Sequence, residues 1–175
     1  MKQRIFMKTL DAIKTRRSIR KFKSQPVDKD KIEILLAAAM SAPSAFNRQP
    51  WEFIVVDDRK TLDAIPSFSD HAHMITQAPL AILICADTNI ENSIEHCFEG
   101  CSAATQNLLL AIHELNLGAV WTGVYPNKDR IKGFKELFNL PSHIEPIALI
   151  VIGHSDESPK QKENYKNEKI HLNTW

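Results

Sequence analysis

Between Ile94 and Leu115 the apolar residues keep one spacing without a break. Ile94, Cys97, Phe98, Cys101, Ala104, Leu108, Ile112 and Leu115 recur at intervals of three and four, the period of a helix with one broad buried face. Asn89 or Asn92 can cap such a helix, which would end near Asn116, with Gly118 supplying a closing residue of positive φ. About 25 residues at a rise of 1.5 Å span roughly 40 Å, the width of a small domain. Ala103, Ala104 and Ala111 let a neighbour approach closely. A helix of this length is either the central helix of a monomer or the seam of a dimer. The rest of a 175-residue chain must be arranged around it.

That rest alternates between two periods. Residues 51–56 (WEFIVV) are aromatic and β-branched and read as a strand. Residues 80–86 (LAILICA) and 147–152 (IALIVI) are continuous apolar runs, the pattern of strands buried on both faces. Residues 119–122 (AVWT) are a short strand candidate. Helices are predicted from Thr9 to Thr15, from Asp28 or Asp30 to Met40, from Arg59 to Ile65, and from the cap Asn127 to Phe138, before Pro141. Residues 66–79 have weak periodicity and hold His71 and His73. The order is helix, helix, strand, helix, strand, long helix, strand, helix, strand, tail. It predicts a mixed, largely buried central sheet covered by helices.

Composition removes several classes of function. The formal net charge of +1 gives little support for a nucleic-acid binder, although Arg16, Arg17, Arg20, Lys21 and Lys23 form a local basic cluster. No apolar run has the ~18–20 residues that cross a bilayer, and the N-terminus has no signal-peptide core. The expectation is a cytoplasmic protein with neither membrane nor nucleic acid as partner. Three cysteines, Cys85, Cys97 and Cys101, do not make a disulfide framework.

Two segments carry chemistry. Arg16, Arg17, Ser18 and Arg20 place three guanidinium groups and a hydroxyl within five positions. Arginine offers a planar fork to a phosphate, and serine adds a short neutral donor. In an extended chain Arg16, Ser18 and Arg20 would share one side and Arg17 would face the other. A basic helix end offsetting its own dipole is the competing reading. The second segment is the loop 41–50, with Pro43, Ser44, Ala45, Phe46, Asn47 and Gln49 between a helix and a strand. Its amides and hydroxyls match the polar edge of a flat heterocycle, and its small residues allow close approach. A plain connecting loop is the alternative. Gly123 follows a strand end, where a backbone N–H can face a ligand.

RRSIRKF, followed about twenty-five residues later by APSAFNRQPW, resembles the N-terminal signature of the FMN-dependent nitroreductase family. WEFIVVDD, the helix containing QNLLL, LGAVW, IALIVIGH and the closing KIHLNTW follow in the family's order. The resemblance spans nearly the whole chain except residues 57–79. It implies an α+β nitroreductase-like fold spanning 1–175 as a single domain, with residues 155–175 as an extended tail packing on the partner subunit. It also implies a domain-sharing homodimer with FMN at the interface, touched by both subunits. Arg16, Arg17, Ser18 and Arg20 match positions at the FMN phosphate, ribityl chain and pyrimidine edge. Pro43, Ser44, Ala45, Phe46 and Asn47 match the loop offered by the partner. Thr122 and Gly123 match the segment near N5, and Lys160 and Lys162 stand where a C-terminal phosphate contact is expected. The implied activity is hydride transfer from NADH or NADPH through bound FMN to an oxidised acceptor such as a nitroaromatic or quinone, by a ping-pong scheme. No side chain is expected to be catalytic, because FMN carries the chemistry. The second reading is a flavin-binding or regulatory module of the same fold without turnover.

Other candidates are weaker. Cys97 and Cys101 continue the apolar stripe while His96 points away, so a metal site lacks converging ligands. Ser44 has neither a nucleophile elbow nor an assigned base. His71 and His73 belong to a solvent-exposed loop or, if it folds over the flavin, face the acceptor and tune its choice. The chain is shorter than many nitroreductases, which implies a pocket that is more open or built for a different acceptor.

Overall fold

The computed structural model describes residues 7–160 and 163–175. The apolar runs pair with one another, because strands buried on both faces must satisfy their backbone groups within a sheet. The long strand β5 (Ile144–Ser155) holds β3 (Leu80–Asp87) along one edge and β4 (Gly118–Gly123) along the other. Strand β2 (Trp51–Val56) pairs with β3, and the two-residue β1 (Phe22–Lys23) pairs with His154 and Ser155 at the end of β5. These pairings are all antiparallel, so the sheet is antiparallel and not the mixed one expected; the parallel contact is an isolated bridge between Ser18 and Ala119, outside the strands.

Alternation along the strands divides the core in two. Leu80, Ile82 and Ile84 of β3 and Ile150 and Ile152 of β5 face α2 (Lys29–Met40) and α4 (Ile94–Glu114). Ala81, Leu83, Cys85, Leu149 and Val151 face the opposite layer. That layer contains α3 (Arg59–Ala64), α5 (Lys128–Phe138) and the 3-10 turns Ile65–Ser67 and Asp70–Thr76. A short α1 (Thr9–Thr15) leans on α4. The fold is α+β, with the long helix central to one layer.

Two expectations about that helix need correction. It has 21 residues and its cap is Ser93, whose hydroxyl accepts from the His96 N–H at 3.2 Å. Neither Asn89 nor Asn92 serves, because Glu91 intervenes and its carboxylate accepts the Ser93 N–H. The left-handed closing residue is Asn116, at φ 57°, and not Gly118. Gly118 already begins β4, and a Cβ there would lie 2.8 Å from the Ile19 side chain. Its smallness serves close packing.

Candidate functional site

The segment after α1 is built by helix termination. Arg16 takes the extended conformation (φ −55°, ψ 133°) while its N–H still bonds the Ala12 carbonyl. Arg17 folds back, and its Nη1 donates to the carbonyls of Lys14 (2.8 Å) and Arg16 (2.7 Å). This is a cation at a helix C-terminus acting on the exposed carbonyls. Ser18 then bridges to Ala119, and the Ile19 N–H bonds the Ala119 carbonyl at 2.9 Å. The simple alternation expected from sequence therefore does not hold. Arg16 and Arg17 line the same cleft, and Arg20 lines a different one.

The first cleft holds about 320 Å³. Thr15, Arg16 and Arg17 form one wall, His113 and Asn116 at the end of α4 another, and Ser155 and Glu157 a third. Burial, with Arg17 second, lowers the Arg16 pKa below the ordinary arginine value. Burial, then Arg16 and Arg17, likewise pushes the His113 pKa down. Glu157 turns its carboxylate to the N–H groups of Arg20 and Lys21. Two adjacent guanidinium groups beside an imidazole suit a phosphate monoester. The hydroxyls of Thr15 and Ser155, by contrast, donate to the carbonyls of Asp11 and Glu157 at 2.6 Å, and Ser18 lines neither this cleft nor the one at Arg20.

The second cavity holds about 470 Å³ and is lined by Arg20, His71, His73, Met74, Thr122 and Gly123, with Asp70 at its edge. Buried Thr122 donates its hydroxyl to the Leu149 carbonyl at 3.1 Å, so that proton is used within the sheet. A Cβ built on Gly123 meets no atom within 4 Å, and the residue is open on the cavity side. Strand β4 links the two spaces, with Ala119 in the first and residues 120–123 in the second. Four residues along a strand cover about 13 Å. That separation suits a ligand with an anionic head and a flat ring joined by a short chain.

The loop carrying Pro43, Ser44, Ala45, Phe46 and Asn47 lies elsewhere. It follows α2 and packs on α4 at Gly100, where an added Cβ would sit 3.4 Å from the Ser44 Cβ. Phe46, Asn47 and Gln49 all have positive φ, at 51°, 53° and 51°. Such conformations in non-glycine residues persist only where the surroundings enforce them. The enforcing contacts are the Gln49 N–H on the Ser44 hydroxyl (2.9 Å) and Arg48 on the buried carboxylate of Glu91 (3.4 Å). Phe46 is 83% exposed. Within one chain, no residue of 43–47 lines either cavity.

Lys160 has an exposed side chain and offers its carbonyl to Arg17 Nε at 3.4 Å, while Lys162 lies outside the described residues. Cys97 and Cys101 are buried in the core, and no cluster of potential metal ligands exists among the described residues. No helix there is long and apolar enough to cross a membrane. Sequence reasoning missed His113, Ser155 and Glu157 as members of the first cleft. His113 stands one residue past the apolar position Ile112 in the last turn of α4, which is the only local signal. Its proximity to Arg16 is a product of the fold.

The model of the family described as "Nitroreductase family" matches residues 13–74 and 70–154. A protein of Methanothermobacter thermautotrophicus, whose name couples NADH dehydrogenase with NAD(P)H nitroreductase, is 44% identical over 97% of this chain and 88% of its own. A crystal structure of a similarly named protein from Parabacteroides distasonis superposes with a TM-score of 0.92 at 44% identity, covering 95% of this chain and 98% of that one. An FMN-dependent nitroreductase from Clostridium difficile gives a TM-score of 0.88 at 34% identity over 95% and 99% of the two chains.

Proposed function

The chain belongs to the nitroreductase family, and from that membership we propose an FMN-dependent oxidoreductase that draws electrons from NADH or NADPH. The observation that carries this reading is the pair of cavities linked by β4, one cationic and one open at Gly123. Arg16, Arg17 and Ser18 would hold the phosphate and ribityl chain. Arg20, Thr122 and Gly123 would border the ring. Bound FMN would supply the redox chemistry, taking a hydride from the nicotinamide and releasing it to an acceptor such as a nitroaromatic or quinone in ping-pong fashion. The protein's part is binding and orientation. The arginines fix the anionic end, and Gly123, lacking a Cβ, lets the backbone approach the ring. Lys160 and Lys162 belong to the tail expected near the phosphate.

The partner subunit would bring Pro43, Ser44, Ala45, Phe46 and Asn47 to the flavin, completing a site that one chain holds only in part. The exposed apolar residues support a homodimer: Phe46 at 83%, Leu172 at 81% and Trp175 fully exposed. Large apolar side chains left exposed in one chain are the kind that an interface covers.

The test is spectroscopic. The purified protein should be yellow or take up added FMN, bleach with NADH or NADPH without oxygen, and recover when a nitroaromatic is added. Flavin binding without bleaching would favour the regulatory-module reading. A protein that takes up no flavin would overturn both.

A further inference from the structure

We infer that His113 is a proton-taking member of the phosphate site, so that FMN binding is coupled to proton uptake; this rests on the flavin reading above. His113 lines the same cleft as Arg16 and Arg17. Its Nε2 lies 2.8 Å from the Thr15 hydroxyl oxygen. That hydroxyl has one hydrogen, and Thr15 donates it to the Asp11 carbonyl at 2.6 Å. Nε2 must therefore carry a hydrogen and donate to Thr15. Nδ1 is then the nitrogen left to accept a proton.

The surroundings set the direction. Arg16 and Arg17 face His113 from the segment after α1, and Glu157 faces the cleft from the chain after β5. Asp11 and Lys14 lie on α1, which packs on α4, and Glu114 is the next residue on its own helix. Without an anion, burial and the two arginines hold His113 neutral, its pKa lowered. A phosphate dianion in the cleft would offset both guanidinium charges and favour the imidazolium, which the C-terminal end of α4 also favours. The pKa of His113 thus rises on binding. By linkage, the added affinity is present below the free-protein pKa and is lost as pH rises through the higher bound-state value. A rise of one unit corresponds to about tenfold in affinity.

The phosphate of FMN titrates too, losing its second proton near pH 6, so the experiment compares proteins and ligands. FMN and riboflavin affinities are measured by flavin fluorescence between about pH 5.5 and pH 8.5, for wild type and His113→Gln. The expected result is a wild-type-to-variant ratio of FMN affinities that falls about tenfold across that range, with a flat ratio for riboflavin, which has no phosphate. A flat ratio for FMN, or an equal slope for riboflavin, overturns the inference. Calorimetry on the wild type alone, in two buffers of different ionisation enthalpy near about pH 7, covers the case in which the variant does not fold. There the phosphate is mostly a dianion and can only release protons on binding in that form, so net proton uptake with FMN but not riboflavin is required. Wild type that binds both flavins without proton uptake refutes the role of His113 and leaves the flavin reading intact. Wild type that binds neither refutes both.

Discussion

Gly118 and Gly123 end the same strand, and a methyl group added to each meets opposite surroundings. At Gly118 it would lie 2.8 Å from Ile19, a buried β-branched side chain with little freedom to yield. Gly118→Ala should destabilise the fold by about 1–3 kcal/mol, the range for overpacking, readable by denaturant unfolding. At Gly123 the methyl meets nothing within 4 Å. Gly123→Ala should leave stability within about 0.5 kcal/mol and weaken FMN binding, because the space it fills is the one assigned to the ring. Equal FMN affinity in Gly123→Ala would remove that residue from the site. The histidines across the same cavity can be separated from cofactor binding by the substrate used. His71 and His73 are exposed and line the space with Arg20. Replacing both by Ala should change the ratio of kcat/KM between carboxylated and uncharged nitroaromatics several-fold, with FMN affinity little altered. An unchanged ratio across such a panel would show that they do not tune acceptor choice.

The loop between α2 and β2 shows how one element is held in an unfavourable shape. Three positive-φ residues precede Pro50, and their anchor is Arg48 on Glu91. The Ser93 N–H, opposed by burial and aided by Arg48 and His96, holds the Glu91 carboxyl below its ordinary value of 4.5. A depressed carboxylate stabilises the fold above its unfolded-state pKa, and that contribution is lost as pH falls through the folded value. Wild type should therefore lose Tm on acidification below 4.5, while Glu91→Gln should start lower and lose less over the same range. Parallel Tm curves for the two proteins would rule out this anchor. Neither the strain nor the anchor was legible in the sequence, since Arg48 and Glu91 are 43 positions apart. By contrast, β2, β3 and α5 follow apolar patterning and an Asn127 cap, both local signals, and fall within a residue of where sequence places them, while β5 extends the expected 147–152 at both ends to Ile144–Ser155. The failures are tertiary in origin. β1 has two residues and exists because β5 offers it an edge. Arg17 leaves the expected alternation because it folds back on the bare carbonyls at the end of α1. His113 entered the cleft only through the packing of α1 on α4.

At the scale of the whole molecule, the two halves of the candidate site are both present but not joined in one chain. Arg16, Arg17, Arg20 and Gly123 lie on one set of walls, and the 43–47 loop packs on α4 away from both. Apolar residues that one chain leaves uncovered include Phe46 on that loop, Leu10 and Ile13 on α1, and Leu172 and Trp175 in the tail, with others on α2 (Ile34 and Met40), β2 (Val55) and α4 (Phe98). Covering them with a second copy would bury apolar surface at about 25 cal/mol per Å² and bring the missing loop to the flavin. The prediction is that affinity for FMN depends on association. Leu10→Asp combined with Leu172→Asp should shift the protein from dimer to monomer in sedimentation, because both side chains are exposed in one chain, outside the residues assigned to the flavin, and their charge is tolerated there. Far-UV circular dichroism should stay unchanged, and FMN affinity should fall at least tenfold, since each site loses its partner loop. A folded monomer that keeps full FMN affinity would mean that one chain holds the whole site, and the role assigned to residues 43–47 would be wrong. If wild type itself sediments as a monomer yet binds FMN tightly, the shared site is refuted without any variant.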